Sequence, residues 1–322
     1  MSERSDRNVA VITVDVEDWP QSTWDRQLPI TERAAGNTKR LLDLFDRLQI
    51  RATMFVLGKF ALRFPDVVRA IDSRGHEVAC HGSDHEEVFH QSPKEFRRDV
   101  EAAKSTLEDL IGRPVLGYRA PDFSIVQGTL WALQILANLG FAYDSSIYPI
   151  RGGRYGIPDW PRGPTQVSLP GGLSIVEFPL STVRWVGRNW PVSGGGYHRL
   201  LPGRLTRIFA AQILQERPFV LYCHPYEFDP GEFAALDLAI PLKTRIHQGL
   251  GRRRFQARFE AFARRFGGRH VLIDLCRSHT WAPAPCPPAP EGPATERRAA
   301  PIPEAHPIIP GDNKKPRDFP GP

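Results

Sequence analysis

Short apolar runs and helix-period stretches take turns along this chain. A largely apolar, β-branched run begins at Val9 and ends in the acids Asp15, Glu17 and Asp18, and shorter, mostly apolar runs lie at 51–58, 76–82, 116–121, 141–146, 174–179 and 219–225. Val, Ile and Thr favour a pleated strand, and strands without a polar face belong in a parallel sheet covered on both sides. Between the runs, apolar residues recur every three or four positions, as with Leu41, Leu42, Leu44, Phe45 and Leu48. This spacing predicts helices over 38–48, 60–73, 93–111, 128–139 and 204–216. Pro93 opens one helix, and Gly75 and Gly140 follow the ends of two others. A last strand is expected at 270–275. The strand–helix order predicts an α/β fold whose parallel sheet is closed or nearly closed as a barrel.

Two stretches break the rhythm. Residues 147–203 are rich in Gly, Pro and Trp, with Trp160, Trp185, Trp190 and Gly194-Gly195-Gly196. An insertion of this length is either a packed loop or the wall of a substrate pocket. From 283 to 322, 13 of 40 residues are proline, so this tail is expected to be disordered. The expected organisation is one catalytic domain over 1–282, with an extension at 230–282, followed by the tail.

Composition narrows the picture. Of 322 residues, 41% are hydrophobic and 24% charged, as in ordinary globular proteins. No apolar run is long enough to span a membrane, and the first eight residues contain no apolar signal segment. A cytoplasmic protein is therefore expected. The four cysteines form no CxxC pair, which argues for reduced, mostly buried thiols rather than a zinc ribbon. The net charge of +6 lies in the folded body, since the last 40 residues carry five basic and five acidic side chains. Much of it falls in 243–269, where Phe255, Phe259, Phe262 and Phe266 mark a basic amphipathic helix. Its polar face is either simply solvated or contacts anionic lipid, an acidic glycan or a biosynthetic complex. No nucleic-acid partner is expected.

The chemistry gathers at strand ends, where α/β folds keep their sites. Asp15, Glu17 and Asp18 close the first run, and burying three acids demands a positive partner. His81 and His85, four apart after the third run, can share one cation. Arg119, after the fourth run, can clamp a carboxylate. His224 ends the run at 219–225 and can act as a general acid, with Asp144 available to orient it. Two histidines and an acid form a three-ligand catalytic metal set, which with a carboxylate base and an imidazolium acid fits metal-assisted hydrolysis of an amide or ester.

In order, the segments DVED, HGSDH, RAPD, YDSS and LYCHP resemble the motifs of NodB-type polysaccharide deacetylases, carbohydrate esterase family 4. The resemblance covers residues 9–230. It is nearest to the intracellular branch of peptidoglycan deacetylase-like and allantoinase-like members. HPYEFDP with 242–266 is similar to the extension of deacetylases from exosortase-linked exopolysaccharide clusters. The resemblance implies a distorted (β/α) barrel, one divalent metal, commonly zinc, and removal of N-acetyl groups from amino sugars of a polysaccharide or its precursor. Residue by residue it implies Asp15 as general base, held by Arg119, and His81 and His85 as metal ligands. It further implies His224 as general acid, with Asp144 as its tuning partner. Alignment and strand alternation favour Glu17 as the third ligand, while a strand ending at Val16 would bring in Asp18 instead. Asp122 stands where the family has Tyr, and an acid there is expected to point away from the reacting centre. The alternative activities are hydrolysis of a small cyclic amide, as in allantoinases, and non-catalytic glycan binding.

Overall fold

The computed structural model describes residues 8–287. Eleven strands are present: β1 Ala10–Val16, β2 Ala52–Val56, β3 Glu77–Cys80, β4 Gly117–Tyr118, β5 Tyr143–Asp144, β6 Thr165–Ser168, β7 Ser174–Glu177, β8 Thr182–Trp185, β9 Arg188–Pro191, β10 Phe219–Cys223 and β11 Pro283–Pro285. The helices are α1 Glu32–Leu48, α2 Gly58–Arg63, α3 Pro65–Ser73, α4 Pro93–Ile111, α5 Trp131–Asn138, α6 Gly195–Leu200, α7 Gly203–Ile213, α8 Glu232–Ala235, α9 Leu242–Gly249, α10 Arg252–Phe266 and α11 Leu272–Ser278. Nine strands form one sheet in the order β10-β1-β2-β3-β4-β5-β7-β6-β11, and β8 and β9 form a separate hairpin. From β10 to β7 every pairing is parallel, and β6 turns antiparallel to β7.

Alternation along β1 separates two cores. Ala10, Ile12, Val14 and Val16 pack among residues of α1, α3 and α4. Val11 joins Phe55, Ala79, Tyr143 and Val220 in an inner cluster. Because side chains two apart share a strand face, Thr13 and Asp15 are carried to the inner side with Val11. The sheet thereby sets where the chemistry points.

Three expectations need correction. Strand pairing does not close a barrel among the described residues, because β10 and β11 stand at opposite edges. Near β10 the amide of Val220 donates to the Ser181 hydroxyl at 2.8 Å. A side chain thus takes the donor that a continued ladder would use. Second, 270–275 is not a strand. His270 makes one isolated bridge to Val11, and α11 then begins. The amide of Leu272 donates to Thr53 Oγ1 at 2.9 Å and that of Ile273 to Glu77 Oε2 at 3.2 Å. These acceptors satisfy first-turn donors that a helix leaves open, while Leu272 and Leu275 fill the inner core. Third, the expected tail starts as β11, paired in parallel with β6; residues 288–322 lie outside the described region.

The basic segment is also less uniform than its charge suggests. Gly251, at φ +84°, separates α9 from α10. Arg252 is buried there, ion-paired to Glu232 and set over the Phe233 ring at 4.6 Å. Cys80 and Cys223 are buried free thiols, and Cys276 and Cys286 are half-buried free thiols.

His198 of α6 lies edge-on to Phe255 and Phe262 of α10, at 5.6 and 5.8 Å. Burial pushes its pKa down to about 4 from 6.5. A depressed histidine contributes stability that is complete above pH 6.5 and is lost as the pH falls through 4, by up to about 3 kcal/mol. His198→Phe is expected to weaken the loss of stability on acidification. Urea midpoints at pH 7 and pH 4.5 measure this, and an unchanged difference between the two would contradict it.

Candidate active site

The ends of β1, β3, β4 and β10 converge on one cavity of about 330 Å³. Arg119, just past β4, is fully buried. Its Nη1 donates to Asp15 Oδ1 at 2.7 Å and to Thr13 Oγ1 at 2.8 Å. Its Nε and Nη2 donate to the Ser145 carbonyl and hydroxyl, both at 2.9 Å. The guanidinium also lies 4.1 Å from the centre of the Phe55 ring. With its fork held from several sides, Arg119 fixes the orientation of the Asp15 carboxyl group.

Glu17, His81 and His85 form a buried group whose ligand atoms lie within 4.8 Å of one another. His81 Nδ1 donates to the Arg119 carbonyl at 2.8 Å, which leaves Nε2 as the free acceptor. Glu17 Oε2 is 2.6 Å from His85 Nε2 and 3.9 Å from His81 Nε2. His85 is reached through a tight turn in which Gly82 has φ +76° and His85 itself φ +56°. A left-handed histidine is strained, and such strain persists where the surroundings over-determine it. Burial opposes charge on both partners, yet the pairing prevails. Glu17 is held well below the usual carboxyl range by His85 and His224, and His85 is pushed up to about 9, chiefly by Glu17.

His224 follows β10. Its Nε2 is 3.1 Å from Glu17 Oε1 and 4.0 Å from Asp15 Oδ2. Its ring stacks on Tyr226 with centroids 4.6 Å apart. Against burial, Glu17 and Glu227 raise its pKa to about 10.

The other predicted residues are placed differently. Asp18 is not in the three-residue group; its Oδ2 accepts the amide of Thr31 at 2.6 Å, at the start of α1. Asp144 does not contact His224. Its carboxylate accepts from the Ser146 hydroxyl at 2.5 Å and neighbours Glu177, while burial raises its pKa. Asp122 does line the cavity, contrary to expectation, because Arg154 Nη2 meets its carboxylate at 2.7 Å. That cation compensates the charge a lone acid would bring.

The carboxylate that lies beside His224 is that of Glu227. Its Oε2 lies 3.4 Å from His224 Nδ1 and accepts the His224 amide at 3.0 Å. Arg199 Nε lies 3.2 Å from Glu227 Oε1. An acid three residues after a turn-opening residue is a capping pattern, and it was visible in His224-Pro-Tyr-Glu227. Arg199 left no such signal, since it comes from the insertion. Gly195 lets that insertion approach: a Cβ there would sit 1.6 Å from the Glu227 carboxylate.

Comparisons with known proteins bear on the family and the fold. Residues 3–143 match the family model described as polysaccharide deacetylase, and residues 145–270 match a domain of unknown function, DUF3473. A peptidoglycan deacetylase-like protein of Gibberella zeae is 33% identical over 110 residues, covering 34% of this chain and 32% of that protein. The peptidoglycan deacetylase of Helicobacter pylori is 32% identical over 110 residues, 34% of this chain and 36% of its own. The chain thus matches about a third of the length of these relatives. A crystal structure of a probable polysaccharide deacetylase from Pseudomonas aeruginosa PAO1 superposes with a TM-score of 0.55 at 15% identity, covering 84% of this chain and 91% of that one; it shares the fold. Residues 3–143 are thus similar to the polysaccharide deacetylase family, and the likeness to the solved structure extends the shared fold over most of the chain.

Proposed function

We propose that this protein is a metal-dependent hydrolase that removes N-acetyl groups from amino sugars of a polysaccharide or its precursor. The observation that carries this reading is one cavity that brings an arginine-clamped Asp15 and His224 together with the buried group Glu17, His81 and His85. The peptidoglycan deacetylase names of the relatives support the substrate class.

Glu17, His81 and His85 fit a divalent cation, because their buried ligand atoms lie within 4.8 Å of one another and His81 Nε2 is left as a free acceptor. The mixed N/O donor set suits zinc, whose chemistry would be to polarise the amide carbonyl and make water a stronger acid. Asp15, oriented by Arg119, takes the proton from the attacking water. His224, backed at Nδ1 by Glu227, gives a proton to the leaving sugar nitrogen. Glu227 has the positioning role expected of Asp144, and Arg199 keeps Glu227 in place.

The proposal takes residues 1–282 as one catalytic unit. It extends to a cytoplasmic setting and to the exosortase-linked exopolysaccharide subgroup, on the likeness at HPYEFDP and 242–266. No helix among the described residues is long and apolar enough to cross a membrane. Peripheral contact with lipid or a biosynthetic complex is supported by exposed Leu242, Ile246 and Leu250 on the basic segment.

Acetate release from N-acetylglucosamine oligomers and from lipid- or nucleotide-linked precursors, by protein loaded with zinc or cobalt, tests the reading. Allantoin serves as the competing substrate. No acetate from any amino sugar with metal bound would sink the proposal, and turnover of allantoin alone would replace it.

A further inference from the structure

A second cavity of about 720 Å³ lies beside the first. The loop 150–159 and the β8–β9 hairpin wall it. Arg154, Tyr155 and Tyr197 line both cavities, so they stand at the boundary between them.

The lining is strongly cationic. Arg151, Arg154, Arg184 and Arg188 face one acid, Asp159. Arg154 is engaged by Glu87 and Asp122. Arg151, Arg184 and Arg188 make no ion pair among the described residues. Arginines gathered without partners repel one another, and the arrangement is relieved by an anion that their planar forks can grip. The same wall offers Trp190, 48% exposed and 6.2 Å from Trp185 between ring centroids. A half-exposed indole presents an apolar face of the kind that covers a pyranose ring, with a polar edge toward solvent. The cavity is also preformed. Asn189 Nδ2 donates to the carbonyls of Pro149 at 2.8 Å and Pro158 at 3.2 Å, tying hairpin to loop. Such ties lower the ordering cost of binding.

We propose that this second cavity binds an anionic unit of the glycan, carrying either a carboxylate or a sugar-linked phosphoryl group, beside the N-acetyl sugar presented to His224. The inference rests on the amino-sugar reading for what enters the first cavity, but the charge preference is measurable without turnover.

The full chain is titrated by calorimetry with three probes. One is a tetrasaccharide alternating glucuronate and N-acetylglucosamine, one is UDP-N-acetylglucosamine, and one is the neutral tetramer of N-acetylglucosamine. An anionic probe is expected to bind about tenfold more tightly than the neutral tetramer, with the preference shrinking at high salt. Arg184→Ala/Arg188→Ala is expected to bring the two within about twofold while leaving neutral binding unchanged. Both arginines are exposed, so the variant should fold. Preference for the tetrasaccharide assigns the carboxylate, and preference for the nucleotide sugar assigns the phosphoryl group. Equal binding of all three probes, or a preference that the double variant keeps, overturns the proposal. Charge preference without acetate release would leave this cavity assigned and remove the deacetylase reading. Acetate release without charge preference would do the reverse.

Discussion

Asp15→Asn is expected to lower kcat by about 10²- to 10⁴-fold, the range for losing a general base, while metal affinity stays within about threefold of wild type because no proposed ligand is touched. The amide has the shape of the carboxylate and can still accept from Arg119, whose Nη1 sits 2.7 Å from Asp15 Oδ1. What it loses is the capacity to take a proton. Glu17→Gln makes the contrast, since it weakens an atom that faces both His85 and His81. In that variant metal affinity should fall by at least about tenfold together with activity. Acetate-release kinetics and calorimetric zinc titration separate the two. Full activity of Asp15→Asn would remove Asp15 from the role of base.

Arg119→Met is expected to cost about 3–5 kcal/mol of stability, because removing one member of a buried pair strands the other charge. Arg119 is wholly buried, and Asp15 is 3% exposed. The loss should be concentrated in Asp15, so Asp15→Asn/Arg119→Met is expected to recover part of it. A double-mutant cycle from urea unfolding yields the coupling, expected at about 1–3 kcal/mol. Additive single effects would show that Arg119 matters through its contacts with Thr13, Ser145 and Phe55 instead. The two predictions pull apart function and folding at one ion pair. Asp15→Asn should leave a folded, metal-binding, inactive protein, whereas Arg119→Met should destabilise the fold itself.

Where sequence reading succeeded and failed follows physical lines. The parallel strands were legible because continuous apolar runs have few other stable settings. Asp15, His81, Arg119 and His224 were legible because each follows such a run, and strand ends in α/β folds gather in space. Asp144 misled for the same reason. It too ends a strand, but it is turned into the hydroxyl of Ser146 and the neighbourhood of Glu177. Glu227 was in view, three residues beyond His224, yet only the turn Pro225–Phe228 shows that it folds back under the imidazole. The segment 270–275 deceived because four apolar positions suit a short strand or a short helix equally. Acceptors from Thr53 and Glu77 decided for the helix.

The sequence by itself determined the parallel α/β class, the strand ends that gather around one cavity and the charge problem posed by Asp15, Glu17 and Asp18. These are local matters, set by side-chain period and by the cost of burying charge. Only the tertiary structure divided the three acids. Asp15 meets Arg119, Glu17 meets His81 and His85, and Asp18 turns away to the amide of Thr31. Partners 13 to 104 residues away made that division, and no local pattern reports which distant donor will reach a given carboxylate first. The same holds for Arg199 against Glu227 and for the arginine-lined second cavity, which exist only because glycines let the 147–203 segment fold down beside the strand ends.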